Sequence, residues 1–334
     1  MEILIYSSRF YPQVGGTETV VKLLAASFVE NGHKVNVITG GGNEDAMSDS
    51  LFPFPIFRSP GFVRHFYLAR KASIILHNSI GLKTLLVDLF FLRKLVVIHH
   101  TWYSGLSGAL KKVVARRFQN IYVSHALQSH VGAKGIIIGN PYDSKIFKRL
   151  PDVTKKKDIV FLGRLISEKG CALLIQATQK LKDSNFKVNL TVIGDGFERE
   201  SLLRLRSELG LNDDVHFVGL KFNQELASLL NEHKIMVVPS LWNEPFGIVA
   251  LEGMACGCFV IGSDEGGLKD AIGQAGLTFK NGDLNDLVRC LGLALRNDNE
   301  ILQREQYIPQ HLMNYSETVI AKKYLNFFES MFQW

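Results

Sequence analysis

The sequence predicts an α/β fold of two doubly wound domains in tandem. Three observations carry that prediction. Short apolar runs alternate with longer amphipathic segments, the order produced by a parallel sheet covered by helices on both faces. The alternation lapses in the polar, aperiodic stretch KRLPDVTKKKD (148–158) and then restarts. The 334 residues also exceed what one typical core accommodates.

In chain order, ILIYS (3–7) reads as a buried strand, and Thr17 to Glu30 as a helix ended by Asn31-Gly32. KVNVIT (34–39), SIIL (73–76), LVVIHH (95–100) and NIYVS (120–124) continue the strand series, and GIIIGNPYD (135–143) closes it with a Gly-Asn-Pro break. Residues 1–143 form the expected first domain and 144–157 the linker. The second domain, 158–315, opens with DIVFLGRL (158–165) and a helix at 171–181. VNLTVIGDG (188–196) leads into a helix over 197–210 with Gly210 as its cap. VHFVG (215–219), IMVVPS (235–240) and CFVIGS (258–263) are three further strands. The terminal segment 316–332 reads as one amphipathic helix. It is apolar enough to require docking, and residues 316–334 are expected to return to the first domain. The stretch 40–62 reads as an irregular, acceptor-side loop.

Hydrophobic residues make up 46% and charged residues 21%, a globular composition that excludes a disordered chain. The longest apolar stretch, Ile80 to Ile98, is interrupted by Lys83, Asp88, Arg93 and Lys94, so it reads as helix plus strand rather than a membrane span. Met1 leads directly into ILIY, so no secretory leader is expected. Cys171, Cys256, Cys258 and Cys290 match no disulfide framework, which points to a reducing cytoplasm. Cys256-Gly-Cys258 has no second ligand pair and D-x-D is absent, so no metal is expected. Residues 1–150 carry 18 basic and 8 acidic side chains (+10); residues 151–334 carry 20 and 24 (−4). Nucleic acid, a membrane surface and an anionic acceptor would all complement the basic half, and an ordinary scatter of surface lysines explains it equally well. No interleaved aromatics or recognised module support nucleic acid. FVRHFYLARK (62–71) and ALKKVVARRF (109–118) mix basic and apolar residues, as a surface docking on a membrane or lipid-linked acceptor would; solvated helices are the alternative.

Ligands of open α/β sheets sit at the carboxyl ends of the strands, so the residues just after each strand are the candidates. Gly15-Gly16 opens the first helix, as a site of close approach or as a plain tight turn. Arg164 follows a buried strand and Lys169 stands at a helix start; together they could neutralise a diphosphate. After 235–239 comes SLWNEPFGIVALEG. Pro245 turns Glu244 away from helical geometry, and the amides of Phe246, Gly247 and Ile248 open a helix as an anion site. Glu252 lies among apolar neighbours on that helix and can hold a pair of sugar hydroxyls, unless it is simply paired to a base.

These residues carry a family resemblance. Glu244-Pro-Phe-Gly with Glu252 resembles the E-x7-E pattern of retaining family-4 glycosyltransferases, which have the two-Rossmann (GT-B) architecture with a cleft between the domains. GRLISEKG (163–170) resembles their G-R-x-x-x-x-K-G element. PQVGG (12–16), IGNPYD (138–143), VIGDG (192–196) and HFVGL (216–220) follow in the family's order. The resemblance implies that Arg164 and Lys169 bind the donor diphosphate and Glu252 the ribose hydroxyls. Glu244, Phe246, Gly247 and Ile248 would hold the donor sugar and its distal phosphate, and Gly219 and Leu220 would line the base. Gly16 would lie beside the donor phosphates, with Gly15, His100 and Trp102 on the acceptor side. His99 or its neighbour His100 would approach the sugar, His99 aligning better. The implied catalytic set is His99, Glu244, Arg164 and Lys169. The implied reaction is metal-independent, retaining transfer of a sugar from a nucleotide-diphosphate donor, UDP by family frequency, to a glycan or lipid-linked hydroxyl in surface polysaccharide or glycolipid synthesis. It needs no cofactor beyond the donor as co-substrate. The expected location is cytoplasmic, with peripheral placement on an anionic inner membrane face. A nucleotide-sugar epimerase and a non-catalytic glycosyltransferase-like subunit are the rival readings.

Overall fold

The structure is a computed structural model that describes residues 1–12, 15–40 and 49–332, with the backbone alone at 82–84. The chain divides into two compact units, Met1–Pro141 with Ser316–Trp334, and Tyr142–Tyr315. Two parallel sheets form their centres.

The first unit runs β1 (Glu2–Ser7), α1 (Gly16–Glu30), β2 (Lys34–Thr39), β3 (Ile56–Arg58), α2 (Phe62–Lys71), β4 (Ile74–Asn78) and α3 (Leu82–Asp88). A 3-10 segment (Leu89–Lys94) then leads to β5 (Leu95–His99), α4 (Gly105–Ala115), β6 (Gln119–Tyr122), α5 (His125–Val131) and β7 (Ile136–Ile137). The strand order is β3-β2-β1-β4-β5-β6-β7. β4 and β5 are buried along their whole length, which is why they read as continuous apolar runs. The chain leaves β1 in one direction through α1 and comes back across the sheet to β4 through α2. Right-handed crossovers therefore put α1 on one face and α2, α3 and α4 on the other.

The second unit runs β8 (Lys157–Leu162), α6 (Cys171–Asp183), β9 (Leu190–Ile193), α7 (Arg199–Glu208), β10 (Val215–Gly219), α8 (Asn223–Asn231), β11 (His233–Val238), α9 (Ile248–Ala255) and β12 (Phe259–Ser263). It ends with α10 (Leu268–Ile272), β13 (Leu277–Phe279), α11 (Leu284–Leu295), α12 (Asn299–Glu305) and α13 (Ile308–Asn314). Its order is β10-β9-β8-β11-β12-β13, so the direction of winding reverses between β8 and β11. Phe161, Leu174, Ile175, Val192, Val237, Ile261 and Leu291 fill the core beside this sheet. The last helix, α14 (Glu317–Ser330), rejoins the first unit. Its Tyr324 and Phe328 rings lie 6.3 and 5.9 Å from Phe28 of α1, and all three are fully buried.

The structure refines two expectations and adds one strand. The stretch 40–62 is not wholly irregular: β3 pairs in parallel with β2, from Val37↔Ile56 to Thr39↔Arg58, while residues 41–48 lie outside the described residues. Three residues are too few to show a period. The segment 144–157, expected as the linker, lies within the second unit, where Arg149 Nη1 donates to Asn231 Oδ1 at 3.1 Å and Lys155 Nζ to the His233 carbonyl at 2.5 Å. Charged side chains that read as solvated are anchored on strand and helix ends of the second unit. The edge strand β13 is likewise too short to be seen in the sequence.

Gly170 links the β8 turn to α6 at φ 69°, and a Cβ there would stand 1.9 Å from the Pro239 carbonyl oxygen. Backbone cannot yield that space cheaply. Gly170→Ala is expected to cost at least about 3 kcal/mol, read as a lowered thermal midpoint; a variant of unchanged stability would refute this packing.

Candidate functional site

The winding of the second sheet reverses at β8 and β11, and the loops after those two strands carry the predicted residues. Gly163-Arg164 follows β8. The Arg164 side chain is exposed and has no hydrogen-bond or ionic partner among the described residues. A short 3-10 turn, Ser167–Lys169, then brings Lys169 back over the sheet. Its Nζ lies 2.5 Å from Glu244 Oε1 and 5.5 Å from the Trp242 ring centre. Glu244 Oε1 also accepts from Ser240 Oγ at 2.7 Å, whereas Oε2 has no partner among the described residues. The Glu244 carbonyl accepts from the Gly267 amide at 2.7 Å, which fixes the backbone of this loop. Lys169 and Glu244, expected to contact different parts of a donor, are therefore partners here. Their side chains keep only 21% and 10% exposure, so each charge is held largely out of water and depends on the other to offset it.

Gly247, at φ 102°, is the N-cap of α9. The amides of Phe246, Gly247 and Ile248 have no acceptor among the described residues, so the helix start offers unpaired donors beside Glu244. Phe246 is buried with its ring 5.5 Å from Tyr315, so it contributes its amide and not its ring. One turn along α9, Glu252 is partly buried, and its carboxyl has no hydrogen-bond partner among the described residues. Burial, and after it the charge of Asp143, push its pKa up to about 7. Among the described residues no base pairs with Glu252.

The β9 and β10 ends meet at Gly194, whose amide donates to the Gly219 carbonyl at 3.0 Å. Leu220 is exposed there, and so are Phe197 and Phe222, which sequence reasoning passed over. Phe197 had been assigned to a helix that in fact begins at Arg199. Its signal was an aromatic directly after the strand-ending GDG. Trp242 was also missed; its buried Nε1 has no partner.

In the first unit the winding reverses between β1 and β4. Asn78 Nδ2 at the end of β4 donates to Ser7 Oγ at 3.1 Å, and its Oδ1 is unpartnered. Gly15 caps α1 and Gly16 is its first residue. The Glu18 carboxylate folds back to 2.5 Å from where a Gly15 Cβ would stand and accepts from Thr17 Oγ1 at 3.0 Å. A carboxylate thus faces this helix start. Gln13 and Val14 of the PQVGG motif lie outside the described residues. Trp102 is partly exposed and meets His130 edge-on at 4.9 Å.

His99 has both ring nitrogens engaged within the first unit. It is fully buried and stacked on Tyr122 at 4.7 Å. Asn120 Nδ2 donates to the Ala115, Phe118 and Lys134 carbonyls at 2.9, 3.0 and 2.9 Å, which aims Oδ1 at His99. His99 Nε2–H donates to that oxygen at 2.8 Å, and Nδ1 accepts from the Tyr103 hydroxyl at 2.8 Å. Both nitrogens are used, and burial pushes the pKa down to about 4. His100 differs in keeping one ring nitrogen open among the described residues. It lies one residue past the strand with Nε2 unpartnered, and burial and His99 hold its pKa near 3, so it is neutral at physiological pH. Asn120→Ala should destabilise the protein by about 2–4 kcal/mol in thermal unfolding while leaving any nucleotide response intact; a loss confined to ligand binding would contradict this assignment.

Among the described residues no cluster of His, Cys, Asp and Glu could hold a metal ion. None of their helices is long and apolar enough to cross a membrane.

Two parallel doubly wound units, the second with unpaired cationic and amide donors at its switch point, define the GT-B architecture. Residues 143–311 match the family "Glycosyl transferases group 1". The match covers half of the chain, and the protein belongs to that family. The chain is 32% identical to a D-inositol 3-phosphate glycosyltransferase of Corynebacterium jeikeium over 53% of its own length. It spans only 44% of that relative. Similarity to the phosphatidylinositol N-acetylglucosaminyltransferase gpi3 subunit of Schizosaccharomyces pombe is 26% identity over 85% of this chain and 71% of that one. Anabaena HepE, solved in complex with UDP, superposes with a TM-score of 0.83 at 20% identity, covering 99% of this chain and all of that one. At that identity the likeness bears on the fold alone.

Proposed function

We propose that this protein is a retaining glycosyltransferase that moves a sugar from UDP to a hydroxyl of a glycan or lipid-linked acceptor, without a metal ion. The observation that carries the reading is that the β8/β11 switch point holds Arg164, the amides at the start of α9 and Glu252, none of which has a side-chain or amide hydrogen-bond partner among the described residues. A nucleotide diphosphate presents charges and a ribose diol to match those three features. Arg164 grips phosphate oxygens as a fork, and Lys169 leaves Glu244 to share that charge. Glu252 accepts from the ribose hydroxyls. Phe197, Leu220 and Phe222 offer apolar surface to the base. Glu244 Oε2, next to the α9 amides, holds a donor-sugar hydroxyl.

Cleavage of the anomeric C–O bond leaves positive charge on the sugar and negative charge on the departing diphosphate. Arg164, Lys169 and the α9 amides stabilise that leaving group. The acceptor oxygen bonds to the anomeric carbon on the face the diphosphate leaves, and the leaving phosphate oxygen takes the acceptor proton. Glu244 positions the sugar and is not one of a hydrolytic carboxylate pair.

The relatives' names support the acceptor class. One acts on an inositol phosphate and another on a phosphatidylinositol, so phosphorylated polyols and lipids recur among them. A lipid-linked acceptor also places the protein peripherally on an anionic membrane face in the cytoplasm. The test is incubation with UDP-glucose, UDP-galactose or UDP-N-acetylglucosamine and a bacterial lipid extract, in EDTA, with the product's anomeric configuration read by NMR. An α-linked product from an α-linked donor is expected. A β-linked product would refute retention, and donor interconversion without acceptor would favour an epimerase.

A further inference from the structure

We propose that the outer faces of α2, the Leu89–Lys94 segment and α4 form one surface that docks on an anionic lipid bilayer. The proposal deepens the acceptor half of the proposed function and rests on it only in expecting that a lipid carries the acceptor.

α2 and α4 cover the sheet face opposite α1, the Leu89–Lys94 segment lies at the entry to β5, and all three turn apolar side chains outward. Val63, Phe90 and Leu106 are 82%, 72% and 93% exposed, and Phe62, Tyr67 and Leu110 are exposed with them. Ordinary helices over a sheet turn such residues inward. The aromatic rings form a connected patch. Phe66 stacks on Phe62 at 6.2 Å and meets Phe90 and Phe91 at 6.1 and 5.3 Å, which joins α2 to the 3-10 segment. Leu92 shares a surface hollow with Arg116 and Arg117 just beyond α4, a hollow that Phe327 of α14 also lines.

The charge is of one sign. Residues 62–118 contain ten Lys and Arg, and Asp88 is their single acid. Asp88 is fully buried, bonded by His77 Nε2 at 2.6 Å and His65 Nε2 at 3.1 Å, so it ties α2 and α3 to the sheet and offsets none of the surface charge. Lys71 Nζ lies 4.4 Å over the Tyr67 ring, a cation at the edge of the apolar patch. Protruding aromatics ringed by cations match a headgroup layer over an acyl boundary. A soluble polyanion would leave the aromatics in water, and a typical protein interface carries a mixed polar rim.

The test is flotation of the full chain with vesicles of phosphatidylcholine alone and with 30% phosphatidylglycerol, beside Phe62→Ser/Phe90→Ser and Arg70→Gln/Lys71→Gln variants. Binding to the anionic vesicles alone, weakened by salt, is expected, with the bound fraction falling roughly tenfold in either double variant. Both pairs are exposed, so thermal unfolding should match wild type. No binding to anionic vesicles, binding that both variants retain, or self-association of the chain that the Phe62/Phe90 variant abolishes would each overturn the proposal. UDP-induced stabilisation is measured on the same samples. Lost vesicle binding with an intact UDP response overturns this surface alone, and the reverse overturns the transferase reading alone.

Discussion

Arg164→Ala is expected to abolish stabilisation by UDP and to lower kcat/KM for sugar transfer by about 10²–10³-fold. The reasoning is structural. Arg164 is exposed directly after β8, has no partner among the described residues, and therefore contributes nothing measurable to the fold. Its removal should leave the ligand-free thermal midpoint within the range of ordinary surface substitutions, about 0.5 kcal/mol. Arg164→Lys keeps the charge and loses the bidentate fork, so partial recovery is expected. Lys169→Ala should be milder in binding, because Lys169 already spends its charge on Glu244. Equal UDP responses in wild type and Arg164→Ala would remove the cation from the donor site.

Glu252→Gln is expected to weaken nucleotide binding while stabilising the ligand-free protein at alkaline pH. The Glu252 carboxyl moves from its ordinary 4.5 to about 7 in the folded state, because burial and Asp143 oppose its charge. Folding therefore favours the protonated form. That favourable contribution is complete below pH 4.5 and is lost as pH rises through 7. At pH 8 the wild type carries an ionised, unpartnered carboxylate that glutamine lacks. The variant should be more stable there by on the order of 1–3 kcal/mol, and the difference should vanish near pH 4.5. Thermal unfolding across this range checks the sign. Wild-type affinity for UDP should rise over the same window, since the ionised form accepts more strongly from a ribose diol. A variant less stable than wild type at pH 8 would show that Glu252 has a structural partner.

The fold was legible because a parallel sheet buried on both faces writes each strand as an apolar run. β1, β4, β5, β8, β11 and β12 were visible in this way. β3 and β13 were not, because three residues show neither a run nor an alternation. The strand ends were legible as places, but the pairings at them were not. Lys169 and Glu244 are 75 positions apart, and only the adjacency of β8 and β11 brings them together. The two histidines after β5 show the limit most clearly. In a strand buried on both faces no periodicity says which residue is the last to be enclosed, and Asn120, 21 positions from His99, decides it. The basic character of 62–118 was plain in the sequence. The outward turn of Phe62, Phe90 and Leu106 was not, since amphipathic helices normally turn such residues to the core.

The central claim is that the β8/β11 switch point of the second unit binds a nucleotide diphosphate without a metal. The most direct measurement is thermal unfolding of the purified protein with UDP, GDP, ADP, CMP and dTDP, each with and without EDTA. The account predicts stabilisation by UDP in preference to the others, unchanged by EDTA and absent in Arg164→Ala. No shift with any nucleotide diphosphate, or a shift that EDTA removes, would contradict it.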